Sequence, residues 1–388
     1  MVLHHAGAVP TGEQLFQQAR AQFGISFDPE AHPVQRRLLL RFDASGDDYK
    51  TQIEQGLAAA RQHSHQREIG FFLWMLGYNR FFSGEFKQAI PILEEAIALF
   101  KNLGENFYRA ESLHWLGVCH RFLGQFEAAR AYAKQIRELS QRTGNQFALA
   151  RILGSTGIYE VYAGNDTQAK SDLQEAITIR DELGYEAGVA ISLAGLGLAA
   201  FFQGDFSRAR MLVEDSLSRA TESNSLFPKA TALNMLGWLA VVEEDYDEAW
   251  HLCQAGLSVS QNPNILLLAQ LGLAMAACGL ENYPSAREYL GAWLKSGKPL
   301  HTPRGFLSCL PTLAILHASQ DESERAVALF ALAFTHPQSP TGWITQWSLL
   351  QRWQSELELN LGPERYAAAW KRGTKLDLET VISDVAVS

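Results

Sequence analysis

Residues 71–104 read FFLWMLGYNRFFSGEFKQAIPILEEAIALFKNLG, and this stretch decides the fold. A Leu76-Gly77 pair sits inside an apolar run. The run is broken at Ser83-Gly84-Glu85, restarts with Phe86, carries Ala89, and closes at Gly104. The same columns return along the chain at an interval of 40 residues. Gly77 is followed by Gly117, Gly157, Gly197 and Gly237, and leucine precedes four of these five glycines. The alanine column is Ala89, Ala129, Ala169, Ala209 and Ala249, and an aromatic stands before it at Phe86, Phe126, Phe206 and Tyr246. Two weaker copies continue with Ala274 and Ala314 in place of glycine and with Ala286 and Ala326 in the later column. Repetition at a fixed period of this length marks an array of stacked units.

Each column has a physical reason. The two apolar runs of a unit carry helical periodicity, so a unit is a helix pair, A then B. The glycine on helix A permits close approach to helix B, and the alanine on B is the other half of that contact. Links such as Ser83-Gly84-Glu85, Leu123-Gly124-Gln125 and Gln203-Gly204-Asp205 end one helix and begin the next, with glycine in the left-handed conformation. A second ladder, Gly104, Gly144, Gly184 and Asn224, ends helix B in the same way.

Outside the strong repeats the pattern changes. Residues 1–30 read as an extension with one helix, Thr11–Phe23, and residues 31–66 as a degenerate repeat with helices at Pro33–Phe42 and Lys50–His63. Seven repeats occupy residues 67–335, and 336–388 cap the array. In the cap, Trp343, Trp347, Leu350, Trp353 and Leu357 have the spacing of a single amphipathic helix. Gly362-Pro363 breaks the chain, Glu364–Arg372 is a short helix, and Asp377 caps a last one at Leu378–Ser383. A stacked array needs such a cap because its last unit exposes an apolar face.

The chain of 388 residues is 47% hydrophobic and carries a net charge of −9, which disfavours a grip on nucleic-acid phosphates or anionic membrane surfaces. No run of 18 apolar residues is present, and the N-terminus lacks the pattern of a secretory signal. The four cysteines, Cys119, Cys253, Cys278 and Cys309, lie in apolar stretches and read as buried thiols of a reduced, cytoplasmic protein. The histidines, including His4-His5 and His63-x-His65, are scattered, so no metal is expected. No glycine-rich phosphate loop exists; Ser296-Gly297-Lys298-Pro299 lacks the required upstream glycine and following hydroxyl. No cofactor and no catalytic residue are expected, and the chain reads as a binder rather than an enzyme.

The candidate binding residues lie on the A helices. Phe71, Trp74, Tyr78 and Phe81 recur at helical spacing. Equivalent faces further on carry His114 and Arg121, then Arg151, then Phe201, then Asn234 and Trp238. One reading is an apolar trough for a protein or peptide segment, with aromatics supplying area and Arg or Asn bonding its backbone or carboxylates. The other reading is packing between adjacent A helices. A neighbouring column, Arg80, His120 and Glu160, fits either a charge-compensated stack or further groove contacts.

The columns Leu76-Gly77, Gly84-Glu85-Phe86, Ala89 and Ala96 resemble a tetratricopeptide repeat, here 40 rather than the usual 34 or so residues long. The resemblance implies an all-α, right-handed solenoid of about seven to eight helix-pair repeats with a helical C-terminal cap. The long repeat, together with Leu361-Gly362-Pro363-Glu364-Arg365-Tyr366 and Leu376-Asp377-Leu378-Glu379, is similar to the sensor arrays of STAND-class signalling ATPases and large LuxR-type regulators. That similarity implies an effector-sensing, autoinhibitory scaffold whose partners are a protein or peptide effector in the concave groove and the nucleotide-binding module of a parent protein. A free-standing adaptor, either a peptide receptor of the quorum-sensing kind or a chaperone cofactor, is the alternative.

Overall fold

The computed structural model describes residues 47–260, 262–296, 302–378 and 380–381. The expected helices Thr11–Phe23 and Pro33–Phe42, the His4-His5 pair, the link at 297–299 and the end of the last helix lie outside the described residues. Among the described residues every regular element is a helix. The fold is the expected all-α array of tetratricopeptide-like helix pairs, and its packing forms two units, residues 1–152 and 153–388.

The first unit contains α1 (Asp47–Gln62), α2 (Gln66–Phe82), α3 (Phe86–Leu103), α4 (Asn106–Phe122), α5 (Phe126–Thr143) and the start of α6 (Gln146–Ala163). The second continues with α7 (Asp166–Glu182), α8 (Glu186–Gln203), α9 (Phe206–Glu222), α10 (Leu226–Val242), α11 (Tyr246–Val259), α12 (Pro263–Gly279) and α13 (Tyr283–Ser296). It ends with α14 (Pro303–Leu307), α15 (Leu310–Ala318), α16 (Ser323–Thr335), α17 (Thr341–Ile344), α18 (Ser348–Leu361) and α19 (Pro363–Gly373).

A and B helices differ in how they are buried, and their sequences say why. On α3, a B helix, Ala89, Leu93, Ala96 and Phe100 are buried while Glu94, Glu95 and Lys101 are exposed, a single apolar stripe. On α8, an A helix, residues are buried around almost the whole circumference, from Ala187 to Phe202. An A helix is enclosed by its own B helix and by the helices of adjacent repeats, which suits its nearly continuous apolar sequence. This same helix is long and apolar enough to cross a membrane, but 83% of its span is buried inside the fold.

The glycine column marks the closest crossing of A on B. A Cβ on Gly77 would lie 2.5 Å from Leu93, on Gly157 2.6 Å from Leu173, on Gly197 2.6 Å from Val213, and on Gly237 2.5 Å from the Cys253 sulfur. The alanine column contributes its backbone carbonyl: Ala209 O and Ala249 O lie 3.4 and 3.1 Å from the Cβ positions of Gly197 and Gly237. At these four crossings the side chain that fills the contact belongs to the residue four places after the alanine, a column not singled out in the sequence, while at Gly117 a Cβ would meet Tyr132 Cβ at 3.3 Å instead.

Every A–B turn is closed in one way. The N–H of Glu85 donates to Arg80 O, and the same bond recurs from Gln125 to His120, Asn165 to Glu160, Asp205 to Ala200, Asp245 to Ala240, Asn282 to Ala277 and Glu322 to His317, at 2.8–3.0 Å. Side chains double it: Arg80 bonds Glu85, His120 meets Gln125 at 2.6 Å, Asn165 donates to Glu160, and His317 meets Glu322 at 2.6 Å. The expected column of Arg80, His120 and Glu160 therefore clamps the turn of its own repeat, because each residue faces the residue five places on.

Glycine holds the left-handed position of the turn at Gly84, Gly124, Gly164 and Gly204, and Gly104, Gly144, Gly184 and Asn224 hold it after helix B. Glu244, Glu281 and Asp321 take the A–B position with φ of 64°, 57° and 64°. A non-glycine residue is strained there. Asp321→Gly should raise stability by about 0.5–1 kcal/mol, read as a higher urea midpoint; an unchanged midpoint would show that Asp321 is not under strain.

The cap departs from expectation in one respect. The tryptophan spacing suits a single amphipathic helix, but the chain forms a one-turn helix, α17, then α18, with Trp347 extended between them (φ −81°, ψ 100°). Gly362-Pro363 breaks the chain as expected, with Pro363 opening α19. The Asp377 carboxylate accepts from the Thr380 N–H at 2.9 Å.

Candidate partner-binding faces

In the first unit, α2 and α4 place a continuous aromatic cluster along the A helices. Phe71 is buried, 5.7 Å from Tyr108 and 5.7 Å from Trp74 between ring centroids. Trp74 and Tyr78 are half-buried, one helical turn apart, and Tyr78 lies 4.6 Å from Phe82 and edge-on to Trp115 at 4.8 Å. Phe81 is buried beneath them among Phe82, Phe86, Trp115 and Phe122. His114 is buried edge-on to Trp115 at 5.2 Å, and Arg121 is half-buried at the end of α4. Phe71, Phe81 and His114 thus pack the interior of this face, while Trp74, Tyr78, Phe82 and Trp115 keep accessible edges. The indole N–H groups of Trp74 and Trp115 have no acceptor among the described residues.

Arg151 does not present a bare cation. It pairs with the buried carboxylate of Glu111 and lies over the Trp115 ring, 5.3 Å from its centroid. A carboxylate in that environment demands a partner, and the guanidinium supplies it. The reading of Arg151 as a contact for a partner's carboxylate is corrected accordingly: its first obligation is to Glu111. Burial pushes the Tyr78 hydroxyl pKa up, nearby Arg151 opposes the shift, and Glu111 adds to it. Glu111, Trp115, Phe82 and Tyr108 were not among the residues singled out in the sequence. The Glu111–Arg151 pair had a signal: opposite charges 40 residues apart fall at the same register of consecutive A helices.

In the second unit the expected contacts are interior. Phe201, Asn234 and Trp238 are 1%, 0% and 3% exposed. Asn234 donates to Ala230 O at 2.8 Å, and the Trp238 indole N–H donates to Leu268 O at 3.0 Å. Phe201 is covered by Trp343, stacked at 5.5 Å, and Trp343 stacks in turn on Trp347 at 5.9 Å. These three residues are corrected from groove contacts to core, because adjacent A helices and the C-terminal segment enclose them.

That C-terminal segment runs along successive A–B turns. Arg304 donates to Val161 O at 3.0 Å and to Asp166 at 2.7 Å. Gly342 approaches the backbone of Phe202 and Gln203 so closely that no Cβ would fit, and Gln346 donates to Gly204 O at 3.2 Å. The Trp347 indole N–H donates to the Tyr246 hydroxyl at 3.3 Å, while Ser348 and Arg352 both bond Glu244. The Ser348 hydroxyl, then the Arg352 guanidinium, hold the Glu244 carboxyl below its usual range. Trp353 meets Tyr283 of the next turn at 6.4 Å. No group of three or more metal-binding side chains occurs among the described residues.

Helix pairs with this glycine crossing, this clamped turn and this inner aromatic face define a helical-repeat scaffold, a class whose inner faces serve as extended binding surfaces. Residues 72–142 and 108–182 match the family model of the tetratricopeptide repeat. No curated protein matches the chain. Among solved structures, yeast Tom70 is similar over 92% of this chain and 75% of its own, with 14% sequence identity and a TM-score of 0.47.

Proposed function

We propose that this chain is a protein-binding scaffold whose partner segment docks on the A-helix face of the first unit, over Trp74, Tyr78, Phe82 and Trp115. The observation that carries the reading is the contrast in cover. These four aromatics are half-buried, whereas on the equivalent face of the second unit Phe201 is buried under the chain's own Trp343 and Trp238 is buried with its indole N–H bonded to Leu268 O. Half-buried aromatics grouped on one face supply the area and rigidity of a binding anchor.

A finer reading draws on the self-covered face. A scaffold that holds part of its inner surface against its own C-terminal segment has the arrangement an autoinhibited sensor needs. The effector-sensing arm of a STAND-type ATPase or LuxR-type regulator, acting on a nucleotide-binding module, is the version of the scaffold we favour over a free-standing adaptor. A nucleotide-binding module in the same reading frame would decide between them.

The docking face is tested with Trp74→Ala. A partner captured from the source cell should bind the variant about 2 kcal/mol more weakly, roughly 30-fold. The loss of folding stability should stay well below the about 3–5 kcal/mol of a fully buried tryptophan. Unchanged affinity together with a full-sized loss of stability would return the aromatic face to simple packing.

A further inference from the structure

The second unit holds a crevice of about 230 Å³, its open mouth included, where α6, α10, α12, α13 and the short helix α14 come together. Leu267 and Leu271 of α12 and Trp238 of α10 give it a buried hydrocarbon wall. Gly305 and Ser308 line it from the C-terminal segment. Arg304 fixes that segment in place through its bonds to Val161 O and Asp166. No charged side chain lines the crevice among the described residues. Most of its polar groups are already bonded. The Trp238 N–H donates to Leu268 O at 3.0 Å, the Gly305 N–H to the Thr302 hydroxyl at 3.2 Å, and the Ser308 hydroxyl to Arg304 O at 2.8 Å. Two groups differ. The Trp293 indole is 2% exposed, yet its N–H has no acceptor among the described residues. Burial pushes the Tyr162 hydroxyl pKa up, and no hydrogen bond or charge opposes the shift. An unmet donor away from water is costly, so an acceptor that meets it is held firmly.

We propose that this crevice binds a small uncharged molecule with a hydrocarbon body and one carbonyl-type oxygen, which accepts from the Trp293 N–H. Each part of that chemistry follows from the lining. The leucine and tryptophan wall favours an apolar body. An ionised group would lose its hydration there with no opposite charge to replace it. The unmet indole donor calls for an acceptor, and the Tyr162 hydroxyl is available to bond the ligand as well. The space lies below the roughly 300–1,000 Å³ of sites for drug-sized ligands, so the body is a single ring or a short chain. The site goes beyond the reading of the first unit as a partner-binding face and shares no residue with it.

The test uses the whole chain, labelled with nitrogen-15 at its nine tryptophans, with cyclohexanone as the probe. Each indole N–H gives one signal in a two-dimensional NMR spectrum. The Trp293 signal is identified by its loss in Trp293→Phe, or from triple-resonance spectra if that variant does not fold. Cyclohexanone should move this signal downfield, with half-saturation on the order of millimolar. Cyclohexene, which has the ring without the oxygen, should leave it without the downfield shift. In Trp293→Phe, cyclohexanone should bind about fivefold more weakly, read from the signal of Trp238, the other indole on the crevice. Absence of a saturable shift at Trp293 overturns the proposal; that is the result expected if water alone occupies the crevice. A saturable shift confined to another indole overturns it, and so does a drift of all nine signals together, the mark of a solvent effect. An equal downfield shift with cyclohexene overturns it as well, because the oxygen would then not be what meets the indole. Partner capture by Trp74→Ala reads the first unit and stands or falls separately.

Discussion

Trp343→Ala should destabilise the second unit by about 3–5 kcal/mol, the usual cost of truncating a fully buried tryptophan. The indole is 1% exposed, stacked between Phe201 and Trp347. Its loss removes the stack that holds the C-terminal segment on α8, and Gln346, Trp347 and Ser348 lose their bonds to the turns at Gly204, Tyr246 and Glu244 with it. Urea unfolding should show the loss in the transition of the second unit while leaving the first unit's unchanged. Limited proteolysis should open the stretch from residue 336 to 348. A variant with native stability and native resistance to proteolysis would mean that the segment is held from elsewhere, through α16 and α19.

The second large effect is expected at the glycine crossing. Gly157→Leu should cost about 3 kcal/mol, at the upper end of the usual range for overpacking. The first atom of the new side chain would already lie 2.6 Å from Leu173 Cγ and 3.2 Å from the Leu173 backbone nitrogen. A leucine could yield by changing rotamer, but a backbone nitrogen yields only if α7 moves. Since α7 also packs on α8, displacement spreads to the next repeat, and the unfolding transition should broaden as neighbouring repeats uncouple. Calorimetry reads both changes. A transition of native midpoint and width would show that α6 and α7 can separate at Gly157 without penalty.

The repeat was legible because each of its columns answers a local steric demand. Gly157 must be small whatever surrounds the pair, and Gly104 must tolerate positive φ whatever follows. The inner face was legible only in part, because burial there depends on what lies across it. Phe201 and Trp238 look like Tyr78 in any local window. What makes Phe201 core is Trp343, 142 residues further along, and Trp238 is bonded through its indole N–H to Leu268 O, 30 residues on. The helical spacing of Trp343 and Trp347 concealed the break between them, because both residues face the same way before and after it. Gly342, pressed on the backbone of α8, and Trp347, turned to reach Tyr246, separate the two pieces. Glu111 and Arg151 were recoverable from the register alone, since a period of 40 residues brings each to the level of the other.

The C-terminal segment on the second unit also sets an order in time. Its bonds join residues 138–143 positions apart, from Arg304 to Val161 and Asp166 and from Gln346 to Gly204. Contacts between distant parts of a chain form slowly because a long loop must first be closed. During synthesis at roughly 5–20 residues per second, the turns at 164 and 204 emerge about 7–30 s before the residues that cover them. Throughout that interval Phe201 and Gly204 wait on the nascent chain without their tryptophan cover. The first unit, with its helix pairs closed by neighbours in sequence, is complete long before.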